Sequence, residues 1–210
     1  LRQFDARRDI GPVADLIELC FEGTLDRDGR RYLQRLRSLA SQPSLLRWAA
    51  SSADWNSIPF FGYVWEQDGL LVGNASLIPY KLQGKRLYLI ANVAVHPDYR
   101  RQGIARQLTL QSIQNVKQRQ APAVWLHVRE ENEAAYQLYY ELGFRERARR
   151  TTWVCSEAGF AAASMPTDIQ IIPARSHHWE MQRHWLLQSY PPEISWCMSF
   201  EPEGLNPGFM

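Results

Sequence analysis

Two segments near the start of the chain carry hydrophobic residues at the spacing of an amphipathic helix. The first is Pro12–Cys20 and the second is Tyr32–Leu39, with the polar, glycine-containing segment Gly23–Gly29 between them. Proline is tolerated in the first turn of a helix, so the pattern predicts that the first helix begins near Pro12. The residues Leu1–Phe4 predict a short strand before it.

The central part of the chain changes to the pattern of strands. Two apolar runs, Phe60–Trp65 and Leu70–Ile78, flank the dipeptide Asp68-Gly69, which favours the two-residue turn of a β-hairpin. A second turn near Gln83-Gly84 leads to a third run, Leu87–Val95, which lacks helical spacing. We therefore expect three antiparallel strands in succession.

The end of the third strand begins the most informative stretch of the chain. This stretch is Val93-Ala94-Val95-His96-Pro97-Asp98-Tyr99-Arg100-Arg101-Gln102-Gly103-Ile104-Ala105-Arg106. Pro97 should end the strand, because proline cannot donate to a sheet ladder and restricts the residue before it. After Gly103 apolar residues recur at helical spacing. A helix that begins there presents unpaired N–H groups and the positive end of its dipole, and these features favour a phosphate or pyrophosphate.

A short buried strand, Ala123–Val128, is predicted after this helix. Because a helix connects it to the strand that ends at Val95, the two strands should run parallel, with a ligand crevice at their carboxyl ends. Asn132 is placed to cap another helix and Gly143 to end it, and Phe144–Val154 should return as a strand.

The C-terminal part predicts one more strand, Ile169–Arg175, and one more helix that begins near Trp179. Two interpretations stay open. The strand completes the first sheet and the rest is an extension, or this region is the start of a second, truncated domain.

Composition narrows the classes of function. Hydrophobic residues make up 45% of the 210 residues, which permits a substantial core, and 24 basic against 22 acidic residues give a net charge of +2, which does not favour nucleic-acid binding. Three scattered cysteines, Cys20, Cys155 and Cys197, predict reduced thiols. No secretory signal or bilayer-spanning segment is visible, so we expect a cytoplasmic protein with no membrane partner. The histidines at 177, 178 and 184 lack partners at metal-ligand spacing, so no metal is expected.

Two stretches resemble the motifs of the GNAT superfamily of N-acetyltransferases. Arg100, Gly103 and Ala105 occupy the three fixed positions of the acetyl-CoA-binding signature Q/R-x-x-G-x-G/A, and Asn132–Phe144 matches the second motif, N-x-x-A-x-x-L-Y-x-x-x-G-F. The sequence of these motifs most resembles that of the ribosomal-protein N-terminal acetyltransferases. The resemblance implies an α/β (α+β) GNAT fold, in which a mixed, mostly antiparallel sheet is flanked by helices and a splayed parallel strand pair forms the CoA cleft.

The same resemblance implies the domain bounds and the binding residues. Residues 1–155 would form the acetyltransferase domain, and residues 156–210 a C-terminal extension or the start of a truncated second GNAT-like domain. Acetyl-CoA would be the co-substrate. It would be held by the strand end, the helix start and the asparagine cap, namely Val93, Ala94, Val95, Arg100, Arg101, Gln102, Gly103, Ile104, Ala105, Arg106 and Asn132. A main-chain N–H near Ala94 or Val95 would suit the oxyanion.

The catalytic candidates are Tyr139 and His127. Tyr139 stands at the motif position of a general acid, and a phenol has a reference pKa near ~10, close to that of an alkyl thiol; Tyr140 is the alternative if the helix register differs. His127 stands where the resembling enzymes have a glutamate base, and an imidazole could take the ammonium proton through water. Packing within the sheet is an equally good interpretation of His127.

The expected reaction moves an acetyl group from acetyl-CoA to a primary amine by direct attack through a tetrahedral intermediate. The acceptor is a small molecule or a protein amine, and Glu22, Asp26 and Asp28 either attract its charge or are solvated loop residues. In the resembling family, the loop between the first two helices lines the acceptor pocket. The alternative is a non-catalytic acyl-CoA-binding or regulatory module, and a homodimer is compatible with either function.

Overall fold

The computed structural model describes residues 1–42, 61–82, 85–149, 151, 172–173, 175–189 and 206. Most of the polar segment that follows the second helix, the turn at Gln83-Gly84, and Cys155 and Cys197 lie outside the described residues. The chain divides into two compact units, Leu1–Phe144 and Arg145–Met210.

The first unit contains a mixed sheet of five described strands in the order of the chain. They are β1 (Arg2–Gln3), β2 (Gly62–Gln67), β3 (Leu70–Leu82), β4 (Lys85–Val95) and β5 (Val124–Leu126). Neighbouring strands are antiparallel from β1 to β4, and β4 and β5 are parallel. The predicted mixed, mostly antiparallel sheet with one parallel pair is confirmed.

Helices cover both faces of this sheet. They are α1 (Ala6–Phe21), α2 (Arg27–Ser41), α3 (Ile104–Gln118) and α4 (Glu133–Glu141). Val64 of β2 packs into a hydrophobic cluster with α1 and α2, whereas its neighbour Tyr63 packs into a second cluster with α3. Successive residues of a strand point to opposite faces, so the two clusters lie on opposite sides of the sheet.

The first helix begins earlier than the sequence pattern predicts. It begins at Ala6, and Pro12 lies inside it rather than in its first turn. The side chain of Asp5 caps the helix, and the buried carboxylate of Asp9 accepts from the Asp5 N–H at 2.7 Å and from Arg2 at 2.6 and 2.8 Å. These polar contacts stabilise a helix start that the spacing of apolar residues cannot reveal.

Most other predicted elements are confirmed with changed bounds. The turn between β2 and β3 places Asp68 and Gly69 at φ 51° and 78°, as a two-residue hairpin requires. Strand β5 ends at Leu126, so His127 lies just beyond it rather than within it. The described part of the strand predicted from Phe144, residues 144–149, is irregular, and residues 152–154 lie outside the described residues.

The second unit contains one described α-helix, α5 (Trp179–Ser189), as the sequence predicts. Of the strand predicted over Ile169–Arg175, residues 172, 173 and 175 are described and are not in a strand. The other residues of that segment lie outside the described part of the chain.

A glycine in β3 lets helix α3 lie close to the sheet. A Cβ atom at Gly73 would lie 2.8 Å from Cγ2 of Ile104 and 3.0 Å from Cδ1 of Leu108. Ile104 is the first residue of α3, and both of these side chains are buried. The absence of a side chain at position 73 therefore fixes where the amino end of α3 sits.

We expect the substitution Gly73→Ala to lower the free energy of unfolding by about 1–3 kcal/mol, because the added methyl group overpacks the contact with α3. Urea denaturation measures the change. Gly11→Ala is the matched control, since its Cβ would meet only Ala40 at an ordinary 3.7 Å, and alanine favours the helix in which it lies. An equal loss of stability in both variants would contradict the close-packing argument.

Candidate active site

The parallel strands β4 and β5 separate at their carboxyl ends. They are paired from Tyr88 with Val124 to Ile90 with Leu126, where β5 ends. Strand β4 continues from Ala91 to Val95 beyond the last β5 pair. The main-chain groups on that edge of β4 therefore face an opening instead of a neighbouring strand. This is the splayed pair that the sequence predicts.

A β-bulge lies in the part of β4 that borders the opening. Ser76 of β3 is paired with Ala91 and Asn74 with Ala94, so Asn92 and Val93 together stand opposite Ala75. Asn92 has φ 51°, in the left-handed region that asparagine tolerates better than most residues. A bulge bends its strand and turns its peptide groups, so β4 changes direction at the opening.

Buried polar side chains hold the bulge. The Asn74 amide donates to the Asn92 carbonyl at 2.8 Å and to the Ser76 hydroxyl at 3.2 Å, and the Asn92 amide donates to the Tyr32 phenol oxygen at 2.8 Å. Asn74 is only 1% exposed, and burial raises the pKa of Tyr32 well above its usual value. Sequence analysis missed this network; an asparagine and a serine within the apolar run of β3 were the available signal.

These hydrogen bonds orient the peptide groups of the opening. The Asn92 carbonyl accepts from Asn74, so the Val93 N–H, on the opposite side of the same trans peptide, points away from the Asn74 side chain. The His96 N–H donates to the Val72 carbonyl of β3 at 2.9 Å, so the Val95 carbonyl points away from β3.

The Val95 carbonyl has two side-chain partners. The thiol of Cys20, in the last turn of α1, and the Arg100 Nε each donate to it at 3.2 Å. Burial raises the pKa of Cys20, which is a free thiol. Both contacts bring α1 and the loop after β4 to the end of the strand, and Arg100 therefore contacts the backbone at the mouth of the opening.

Helix α3 begins beside this strand end. Arg101 and Gly103 have φ 64° and 80°, and the N-cap is Gly103, which has no side chain to bond the first-turn amides. Residues 101–103 are exposed, whereas Ile104 is buried. Successive turns of this kind, followed by a helix N-terminus, direct N–H groups at one point and suit an anion.

An ion pair connects the first turn of α3 to the last turn of α4. Arg106, in the first turn of α3, bonds the carboxylate of Glu141 at the end of α4, and this contact lowers the pKa of Glu141. The turn that carries Tyr139 consequently lies next to the first turn of α3. Sequence analysis expected Arg106 at the phosphates, and here its guanidinium also has a carboxylate partner.

The two tyrosines of α4 lie in different surroundings. Tyr139 is 7% exposed and packs edge-on against Phe144, with the ring centroids 5.9 Å apart. Burial raises its pKa to about 12. Tyr140 is 50% exposed, so the helix register predicted from the sequence separates the pair as expected.

Asn132 and His127 lie on the other side of the opening, after β5. The Asn132 side chain caps α4 by accepting from the Ala135 N–H at 3.2 Å, as the sequence predicts. His127 is exposed, just after the last residue of β5. Arg129, in the same segment, donates to the Thr24 carbonyl at 2.5 Å and so connects it to the loop between α1 and α2.

The acidic residues that the sequence places in that loop have different environments, and Asp28 lies in the first turn of α2. Asp26 caps α2, accepting from the Gly29 N–H at 2.7 Å, so its role is at least partly structural. The side chain of Asp28 is 88% exposed, with an Arg31 nitrogen at 3.8 Å. Glu22 is exposed in the short 3-10 turn Glu22–Thr24.

Neither a metal-binding cluster nor a membrane-spanning helix is found among the described residues. No group of three or more histidine, cysteine or acidic side chains in that part of the chain could hold a metal ion. None of the described helices combines the length and apolar character needed to cross a membrane.

Comparisons with known proteins agree with this geometry. The alanine N-acetyltransferase of ribosomal protein bS18 from Escherichia coli strain K12 is 44% identical over 62 residues, which cover 30% of this chain and 42% of that relative's length. A GCN5-related N-acetyltransferase from Ralstonia eutropha JMP134 has a similar fold, with a TM-score of 0.52 and 20% identity over 73% of this chain and 96% of that one. The structure of an aminoglycoside N-acetyltransferase in complex with CoA is also similar, with a TM-score of 0.51 and 16% identity. The match covers 73% of this chain and 92% of that one.

A family model carries the assignment. The model of the acetyltransferase (GNAT) family matches residues 24–144, more than half of the chain, from the loop after α1 to the end of the second motif. The splayed strand pair and the glycine-capped start of α3 both lie within that span. The chain belongs to the GNAT acetyltransferase family.

Proposed function

We propose that this chain is an N-acetyltransferase that moves an acetyl group from acetyl-CoA to a primary amine. The observation that carries the proposal is the position of the glycine-capped start of α3 beside the separated ends of β4 and β5. This arrangement offers an anion site and an open strand edge next to each other, and a coenzyme with a diphosphate and an extended amide-containing arm needs both.

The coenzyme would be held mainly by main-chain groups. Its diphosphate would accept from the N–H groups of residues 101–106, with Arg100 and Arg101 adding positive charge. Its pantetheine arm would lie along Val93–Val95 as an added strand. The Val95 carbonyl points away from β3, which supports this placement. Its two lone pairs accept from Cys20 and Arg100, so an amide of the arm would replace one of these donors. Asn132 would border the arm from the other side.

The reaction needs no covalent enzyme intermediate. The amine nitrogen attacks the carbonyl carbon of the thioester and forms the C–N bond, and the carbonyl electron pair moves onto oxygen. When the tetrahedral intermediate collapses, the electron pair on oxygen re-forms the C=O bond, the C–S bond breaks, and the sulfur leaves as a thiolate with the C–S bonding pair. The Val93 N–H, turned away from Asn74, is the best placed donor for the oxyanion. It is one residue earlier than the amides that the sequence suggested.

Tyr139 would serve the departing sulfur. A pKa of about 12 keeps its phenol protonated at neutral pH, so it is always a hydrogen-bond donor. Because an alkyl thiol has a reference pKa near ~8.5, below that of this phenol, complete proton transfer from the phenol to the departing thiolate is unfavourable. We therefore assign Tyr139 to donate a hydrogen bond that stabilises the thiolate while the C–S bond breaks. The proton that finally converts the thiolate to a thiol is the one that the amine releases.

His127 would accept the proton of the attacking amine, through water. Its exposed position after β5 supports this role better than packing within the sheet, since it stands where solvent can exchange protons with it. Imidazole is the side-chain group whose reference pKa, near ~6.5, suits a base at neutral pH. An amine bound between the loop Glu22–Thr24 and the segment after β5 would lie within reach.

The acceptor is proposed only as a class. The relatives with named acceptors act on the alanine of a ribosomal protein and on aminoglycosides, and all of these acceptors are amines. The exposed carboxylates of Glu22 and Asp28 would attract such a cation. The free thiol of Cys20 supports a reducing compartment such as the cytoplasm. We keep residues 156–210 as an extension to the acetyltransferase domain.

We expect Tyr139→Phe to lower kcat about 100-fold, because the departing sulfur loses its hydrogen-bond donor, while the affinity for acetyl-CoA stays within about twofold. Release of CoA thiol with a panel of primary amines measures kcat, and equilibrium dialysis measures binding. The neighbouring variant Tyr140→Phe should retain its turnover. Acetyl-CoA binding by the unsubstituted chain with no turnover on any amine would favour the non-catalytic module instead.

We expect His127→Gln to lower turnover at neutral pH by about tenfold or more and to remove the acidic limb of the pH–rate profile near pH ~6 to 7, because glutamine cannot take up a proton. The profile of kcat/KM for the amine measures both effects. His184→Gln, on α5 in the second unit, is the control for loss of a surface histidine. A profile that keeps its acidic limb in the His127 variant would exclude this residue as the base.

A further inference from the structure

A hydrogen-bonded chain runs from Tyr32 through Asn92 to Asn74, and its Tyr32 end has no part in the steps above. It joins three elements that are far apart in sequence, namely α2, the bulge of β4, and β3. Its middle member, Asn92, makes two hydrogen bonds. Its side chain donates to Tyr32, and its main-chain carbonyl accepts from Asn74. Rotation of the Asn92–Val93 peptide is therefore resisted from two directions.

Restricted rotation of the Asn92–Val93 peptide at the bulge would affect the proposed stabilisation of the oxyanion. Asn92 adopts φ 51°, a backbone conformation that costs energy for most residues and persists where the surroundings determine it. The peptide that follows carries the Val93 N–H, which lies on the far side from Asn74. A donor to an oxyanion is effective only when it is fixed before the charge develops.

We infer that Tyr32 is a positioning residue for acetyl transfer, which acts through Asn92 to hold the Val93 N–H at the angle that the thioester oxygen requires. The inference rests on the proposed function, because it assigns the Val93 N–H to that oxygen. The phenol oxygen of Tyr32 accepts from Asn92, so its own O–H proton is directed elsewhere, and the link depends on the oxygen and not on the acidity of the phenol.

The same hydrogen bond connects the coenzyme side of the opening to the helix that follows the α1–α2 loop. Tyr32 lies on α2, whose N-cap Asp26 belongs to that loop. A shift of α2 when an acceptor binds would be passed to the bulge through a single hydrogen bond of 2.8 Å. The Tyr32–Asn92 contact thus couples the loop expected to bind the acceptor to the amide expected to activate the thioester.

The first test is Tyr32→Phe, which removes the acceptor oxygen and keeps the ring. We expect kcat to fall roughly five- to tenfold, with KM for acetyl-CoA changed less than about twofold, because the amide loses its alignment and the coenzyme loses no contact. In the infrared spectrum of bound, isotope-labelled acetyl-CoA, the thioester carbonyl stretch should move back towards its value in solution.

The chain offers a matched control in Tyr63→Phe. The Tyr63 phenol oxygen accepts from the Asn115 amide at 2.8 Å, the same pair of groups at the same distance, on the opposite face of the sheet against α3. This variant should lose a similar amount of stability and keep both kcat and the carbonyl frequency of the unsubstituted chain. Equal losses of kcat in the two variants would overturn the inference, since a general structural role would explain both.

A second variant, Asn92→Gly, removes the other partner and keeps a residue that tolerates positive φ. Because both substitutions break one link, the double variant should lose no more kcat than Asn92→Gly alone. Additive losses, or a Tyr32→Phe enzyme with unchanged kcat and carbonyl frequency, would overturn the inference while leaving the proposed function intact. If the unsubstituted chain binds acetyl-CoA and acetylates no amine, the proposed function fails, and the carbonyl frequency of Tyr32→Phe alone then decides the inference.

Discussion

The separation of β4 from β5 after Ile90 is the constraint on which the rest of this structure depends. A strand that leaves its neighbour exposes main-chain donors and acceptors, and those in a partly buried place need partners. For the Val95 carbonyl, which points away from β3, the chain supplies partners from two elements: the thiol of Cys20 on α1 and the guanidinium of Arg100 after β4. These side chains bond a main-chain group at the end of β4, and the gap between β4 and β5 stays open.

Contacts on both faces of the sheet shape the candidate site. On one face, α3 approaches closely over Gly73, which fixes the position of the amino end of that helix. On the other face, Tyr32 of α2 reaches the bulge through Asn92. The open edge of β4 lies between them, so its geometry depends on packing from one side and on hydrogen bonding from the other.

Sequence patterns predicted the elements that depend on local spacing. The hairpin at Asp68-Gly69, helix α3 after Gly103 and the cap at Asn132 follow from residues close together in the chain. The patterns failed where distant polar contacts decide. The start of α1 depends on the Asp9–Arg2 pair, and the bulge depends on the register between β3 and β4. Neither the pairing partner nor the register can be deduced from apolar periodicity.

Burial gives the two proposed catalytic side chains opposite properties. Tyr139 is enclosed, and the resulting pKa of about 12 keeps the proton on its oxygen throughout the pH range of an ordinary assay. His127 lies exposed after the end of β5, where its imidazole can exchange protons with water. The pH dependence of the reaction should therefore come from the base and not from the acid. The early end of β5 thus leaves the edge of β4 open where we propose that the coenzyme binds, and it also leaves His127, the proposed base, exposed to solvent.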